Sequence, residues 1–150
     1  MEYEIKGQWV KLSLVRDPGR DQITCEKILS SHEAAKMLAP YYEHHDREEF
    51  IVICLDQKNK IVAINSVSVG SLTVTVVHPR EVFKVAVLCN SAAIIVAHNH
   101  PSGDATPSEE DKNITKRLKE AGAILGISLL DHLVIGGRDE YYSFADRGTL

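Results

Sequence analysis

Apolar and polar positions alternate at the start of the chain. Tyr3 and Ile5, then Val10, Leu12 and Leu14, share a face opposite Lys11 and Ser13, a period of two that predicts half-buried strand in residues 1–15. Asp17-Pro18-Gly19 signals a turn. Residues 1–22 therefore read as a short β-like extension, an edge hairpin added to a main domain of residues 23–150. Ser30 with Glu33 three residues on fits a capping box and predicts a helix over residues 31–38, with Ala35 and Leu38 inward and Pro40 ending or kinking it. Residues 50–55, Phe-Ile-Val-Ile-Cys-Leu, are apolar throughout and read as a central strand covered on both faces. Residues 56–60 form a hairpin loop, 61–69 the next strand, and the alternation of Leu72, Val74 and Val76 with Thr73 and Thr75 a further one.

Pro79 suits the first position of a helix, and Val82, Phe83, Ala86 and Val87 form its apolar stripe. Residues 92–97 are a buried strand running straight into His98. Thr106-Pro107-Ser108-Glu109 predicts a second capped helix, with Thr106 as N-cap, Pro107 at the first position and Gly122 just past the end. Residues 127–135 and 141–144 read as strands around a Gly136-Gly137 turn. Hairpin-length loops among three helices imply an α/β fold with a mixed sheet.

Composition narrows the class. At 150 residues, 44% hydrophobic and 25% charged, the chain is a single folded domain. Its net charge of -4 argues against tight non-specific nucleic-acid binding, which draws on Lys and Arg against phosphates, while leaving room for a local basic patch. Cys25, Cys54 and Cys89 show no C-x-x-C spacing; they read as free thiols in a reducing cytoplasm rather than as a disulfide framework or a cysteine-rich zinc site. The first six residues carry charges where a signal peptide needs an apolar stretch, and no apolar run approaches the ~20 residues of a membrane span. Oligomeric state is not legible.

The chemistry concentrates in residues 98–111, His-Asn-His-Pro-Ser-Gly-Asp-Ala-Thr-Pro-Ser-Glu-Glu-Asp. In extended chain, residues i and i+2 point the same way, so His98 and His100 converge on one ion while Asn99 faces away. With Pro107 at the first helical position, Ser108 and Asp111 are i and i+3 on one face, and Glu109 belongs to the capping box. Asp111 is then the best third ligand and Asp104, in the loop, its rival. Three N and O ligands with no fourth nearby are the pattern of a catalytic zinc site, whose fourth position stays open. Such a site needs a carboxylate to move protons. Glu48 and Glu49 open the strand at Phe50; they alternate across the sheet, so one of them faces the site, and patterning alone leaves both open. Of the seven histidines, His32, His44 and His45 read as surface. His78 reads as a helix cap or pocket edge. His132 reads as a core histidine or a support behind the ligands.

His98-x-His100, then Ser108 and Asp111, with an upstream Glu, resembles the JAMM motif of the JAB/MPN metalloproteases. Three strings bring it closest to the bacterial RadC-like branch: Val77-His78-Pro79-Arg80-Glu81, His98-Asn99-His100-Pro101-Ser102-Gly103-Asp104 and Leu130-Asp131-His132-Leu133-Val134-Ile135-Gly136. The resemblance runs from about Ile23 to the C-terminus. It implies a cytidine-deaminase-like fold, a mixed curved sheet flanked by helices. It implies one Zn²⁺ held by His98, His100 and Asp111, with Glu48 as general base, because the family's Glu-x-Phe fits Glu48-Glu49-Phe50. Ser108 would donate to the oxyanion of the tetrahedral intermediate. The implied reaction is hydrolysis of a peptide or isopeptide amide through a metal-bound water, on a protein or peptide substrate. RadC-like proteins also carry an N-terminal helical region with a helix–hairpin–helix look. Residues 1–22 read otherwise, so a DNA-binding role seated in that region is not expected here.

Two rival readings stand beside this one. His-Asn-His invites a nuclease, but the HNH motif spreads those residues over a ββα unit, and Lys112, Lys116 and Lys119 read as a solvated helix face. A non-catalytic, RadC-like protein that binds nucleic acid or a protein partner is the other; the complete ligand set counts against it.

Overall fold

The computed structural model describes residues 7–20, 23, 25–70 and 77–150. Within them the elements are α1 (Ser31–Tyr42), β1 (Glu49–Leu55), β2 (Ile61–Val69), α2 (Pro79–Leu88), β3 (Ala93–Asn99), α3 (Glu109–Leu125), β4 (Ser128–Ile135) and β5 (Tyr141–Ser143). The strands form one mixed sheet in the order β2-β1-β3-β4-β5. β1 lies antiparallel to both β2 and β3, β3 runs parallel to β4, and β5 returns antiparallel to β4. This is the mixed α/β architecture that the pattern predicted.

The two central strands, β1 and β3, are buried at every position, which their unbroken apolar runs require. Alternation then divides their side chains between two layers. Ile51, Ile53 and Leu55 pack with Ala34, Ala35, Leu38 and Tyr42 of α1. Phe50, Val52 and Cys54 pack on the other face with Val82, Phe83 and Ala86 of α2 and Leu118 of α3. The sheet is thus sandwiched between one helix and two.

Several local expectations are corrected. No strand forms at residues 7–15: Trp9, Val10, Leu12 and Val15 are exposed. A period of two marks a surface able to pair, but a strand exists only where a neighbour completes its backbone hydrogen bonds. Arg16 still reaches the sheet, donating to the Val62 carbonyl at 3.3 Å. Residues 1–6 and the strand expected near residues 72–76 lie outside the described residues. Helix α1 continues through Pro40 to Tyr42; the proline is exposed, while burial of Ala39 and Tyr42 holds the last turn down. Val87 is exposed, because at 100° per residue it falls at the margin of the stripe that Val82, Phe83 and Ala86 centre on.

Helix α3 departs most. Its N-cap is Ser108, not Thr106, and its capping box pairs Ser108 with Asp111; Glu109 instead meets Lys112 at 2.6 Å. The helix also runs past Gly122 to a left-handed cap at Gly126, φ 71°. Gly122 is needed for space: a Cβ there would lie 2.4 Å from the Ile127 carbonyl oxygen. No helix among the described residues is long and apolar enough to cross a membrane.

Candidate metal centre

Two elements converge at one end of the sheet. β3 pairs with β1 so that His98 lies opposite Phe50, and the two rings stack at 5.9 Å. The chain then leaves the sheet with the His100 amide still bonded to the Ile135 carbonyl at 2.9 Å, and turns through the residue 101–108 loop into α3. The first turn of α3 brings in Asp111, which is 1% exposed. Among the described residues, His98, His100 and Asp111 form a group able to hold a metal ion, with ligand atoms all within 4.8 Å of one another.

The group's edges are short. The two histidine Nε2 atoms are 3.1 Å apart; His98 Nε2 lies 3.2 Å from Asp111 Oδ1 and His100 Nε2 3.4 Å from Oδ2. Zinc–nitrogen and zinc–oxygen bonds of ~2.0–2.1 Å at a tetrahedral centre put ligand atoms roughly 3.3 Å apart, which these edges match. Asp111 Oδ1 is buried and accepts no hydrogen bond, an arrangement that costs free energy unless a cation meets it. His100 Nδ1 sits 2.7 Å from the Asp104 carbonyl oxygen. A carbonyl only accepts, so this nitrogen carries the proton and Nε2 presents its lone pair. Asp104 itself is exposed and its carboxylate accepts from the Thr106 amide; the structure does not bring it into the group.

The electrostatics follow from this crowding. Burial pushes the Asp111 carboxyl upward, but the His100 and His98 rings set against it, with the Ser108 amide, together hold it far below the usual carboxylate range. The His100 imidazole is raised, chiefly by the Asp111 carboxylate, to which a charged ring would donate, against its partial burial, with further support from the Asp104 carbonyl and the charges of Asp111 and Glu48.

The adjacent carboxylates of β1 part company. Glu49 faces α1, where Tyr41 Oη at 2.8 Å, His45 Nε2 at 2.9 Å and Arg20 Nη2 at 3.1 Å meet it. Burial pushes its carboxyl up, but hydrogen bonds from Ser66, Tyr41 and His45 and the Arg20 charge bring it below its ordinary value. Glu48 is half-buried and continues the alternation on the Phe50 side, close enough for its charge to act on His100. Ser108 caps α3: its hydroxyl accepts from the Asp111 amide at 3.1 Å, and its own amide donates to Asp111 Oδ2 at 2.8 Å.

Two supporting residues were missed or misplaced by sequence reasoning, and a third was read correctly but without its partners. Asn99 faces away from the group, as alternation requires, but its carboxamide accepts from the Glu49 amide at 2.8 Å and donates to the Arg47 carbonyl at 3.0 Å. It brackets Glu48 on both sides. His45, expected at the surface, is half-buried against Glu49, Tyr41 and Tyr42. His132 is fully buried behind His98; its imidazole is held well below its ordinary value, first by burial and then by the His98 charge. Its expected place, in the core or behind the ligands, agrees with this burial, but no pattern in β4 names its partners. His78 occupies the N-cap position of α2 without a side-chain capping bond. Beside His100 opens a cleft of about 280 Å³, lined among others by Tyr42, Glu43, Gly137 and Arg138.

Comparison with known proteins finds a family and relatives for this sequence. Residues 28–149 match the family model of the RadC-like JAB domain. The UPF0758 protein of Symbiobacterium thermophilum is 52% identical over 115 residues, 77% of this chain and 49% of its own length. That of Pelobacter propionicus is 56% identical over 112 residues, 73% of this chain and 48% of its own. A UPF0758 protein of Desulfitobacterium hafniense strain Y51 is 47% identical over 135 residues, 90% of this chain and 59% of its own. The chain thus spans about half the length of the curated relatives it matches.

Proposed function

The chain belongs to the RadC-like JAB-domain family, and on that membership and the geometry of its His-His-Asp group we propose that it is a zinc-dependent hydrolase of peptide or isopeptide amides. The observation that carries this reading is the bare, buried Oδ1 of Asp111 set among imidazole nitrogens. An N,N,O donor set of imidazole and carboxylate suits zinc. Zinc held there supplies Lewis acidity toward water and toward an amide carbonyl.

The chain's own residues do the rest. Glu48 takes the proton from the attacking water and returns it to the leaving amine, a service typically worth ~10²–10⁴ in rate. Ser108 Oγ accepts from the Asp111 amide, which leaves its own O–H to donate to the oxyanion; one such donor is worth ~10²–10³. Asn99 holds Glu48 at its distance from the two histidines through the bonds on either side of it. The cleft beside His100 receives the substrate chain, with Arg138, paired to Glu43 at 2.9 Å, at its rim. Free Cys25, Cys54 and Cys89 fit a reducing cytoplasm, where we place the protein.

The test is elemental analysis followed by a cleavage screen on peptide and isopeptide libraries. We expect about one zinc per chain and cleavage that Glu48→Gln abolishes without loss of metal. Protein that takes up no zinc from excess, or cleavage that survives Glu48→Gln and dies in Glu49→Gln, overturns the reading.

A further inference from the structure

Behind the metal group runs a buried chain of hydrogen bonds that ends on helix α3. His98 Nδ1 is 2.8 Å from His132 Nε2. His132 Nδ1 is 2.6 Å from Thr115 Oγ1, and Thr115 Oγ1 donates to the Asp111 carbonyl oxygen at 2.6 Å. His98 and His132 are 0% exposed and Thr115 2%, so each proton position is set by these partners rather than by solvent.

The protons can be placed one after another. The Asp111 carbonyl accepts only, so the Thr115 hydroxyl spends its single proton there. Towards His132 the same oxygen must accept, so His132 carries its proton on Nδ1. His132 Nε2 then holds a lone pair and accepts from His98, which puts the His98 proton on Nδ1. The lone pair of His98 Nε2 is left facing Asp111 Oδ1 and His100 Nε2, 3.2 and 3.1 Å away. Reversing any one link would place a proton on His98 Nε2, where it would block a ligand bond.

From this arrangement we propose that His132 and Thr115 are positioning residues that lock His98 in its metal-ready tautomer and aim its Nε2 at the group, anchoring it to the same helical turn that supplies Asp111. The proposal rests on reading His98, His100 and Asp111 as metal ligands. It adds that the state of one ligand is fixed by a hydroxyl two steps removed, on a residue that touches neither metal nor substrate. His98 and Asp111 are thereby tied twice, through the centre and, behind it, through Thr115 and the Asp111 carbonyl.

The experiment uses the whole chain stripped of metal and titrated with Zn²⁺ or Co²⁺ against a competing chelator, beside ¹⁵N-resolved NMR of the histidine rings in the metal-free protein. Wild type is expected to show His98 protonated on Nδ1 and to bind one ion. Thr115→Val keeps shape and loses the acceptor; it is expected to bind about 10-fold more weakly, within the 10–100-fold span typical of such outer partners. In it the His98 Nε2–H form should become detectable. Thr115→Ser restores the hydroxyl and is expected to restore both affinity and tautomer. His132→Phe is expected to weaken binding by up to ~100-fold, and if it does not fold the threonine pair carries the test. Wild-type His98 protonated on Nε2, or equal affinities for wild type and Thr115→Val, overturns the proposal. A wild type that binds neither ion, with His98 protonated on Nδ1, overturns the metal reading instead.

Discussion

Asp111 and Glu49 are both 1% exposed and both stand at the same end of the sheet, yet they lead opposite lives. Glu49, on the α1 face, is met by Arg20, Tyr41, His45 and Ser66. Asp111, on the other face, gives one oxygen to the Ser108 amide and leaves the other without a hydrogen bond. A buried carboxylate whose lone pairs are all answered is part of the architecture. One with an oxygen left open beside two nitrogen lone pairs is held ready for a cation. Asp131 falls with Glu49: the amides of His132 and Ala145 and the Ser143 hydroxyl all donate to it.

The sharpest way to break this contrast is to neutralise each acid in turn. Asp111→Asn should weaken zinc binding by more than about 100-fold, beyond what partners outside the ligand set command, as read by chelator competition. Glu48→Gln should leave zinc content at the wild-type level while turnover on any cleaved amide falls ~10²–10⁴-fold. Glu49→Gln should also keep its metal but lose about 1–3 kcal/mol in urea unfolding, the cost of leaving buried partners unanswered; unchanged stability would remove Glu49 from the architecture.

The same acid predicts a pH dependence. Its carboxyl lies lower in the fold than the ~4.3 of an unfolded glutamate. Its contribution is therefore present above that value and disappears as pH falls through the folded one. Urea midpoints taken between pH 3 and 6 should show a steeper acid limb for wild type than for Glu49→Gln. The smallest effect is expected at the helix cap: Ser108→Ala should cost about 1 kcal/mol, and Ser108→Asp should recover the cap but not the donor needed at an oxyanion.

The His98, His100 and Asp111 group was legible because its spacing is local: His98 and His100 obey strand alternation, and Asp111 sits one helical turn from a serine. Strand β2 and helix α2 were equally legible, from an unbroken pattern and from Pro79. The start of α3 was not, since Thr106 with Glu109 and Ser108 with Asp111 offer the same capping signature, and only the pull of Asp111 toward the histidines separates them. Pro40 and Gly122 were misread as stops because the hold of the Glu49 and Ala97 carbonyls on Tyr42 and the close approach of Phe83 to Gly122 lie outside any local window. The roles of Asn99, His132 and Thr115 depend on partners 17 to 52 residues away, a separation no periodicity encodes.

The Asn99 carboxamide also has a dynamic consequence. By gripping the chain at Arg47 and Glu49, it pins the pairing of β1 with β3, where a slip of one residue would swap Glu48 and Glu49 between faces. Exchange of the Glu49 amide with deuterated water should therefore be among the slowest in the molecule. Glu48 and the His-His-Asp group would then part only when the whole domain opens, not through local breathing.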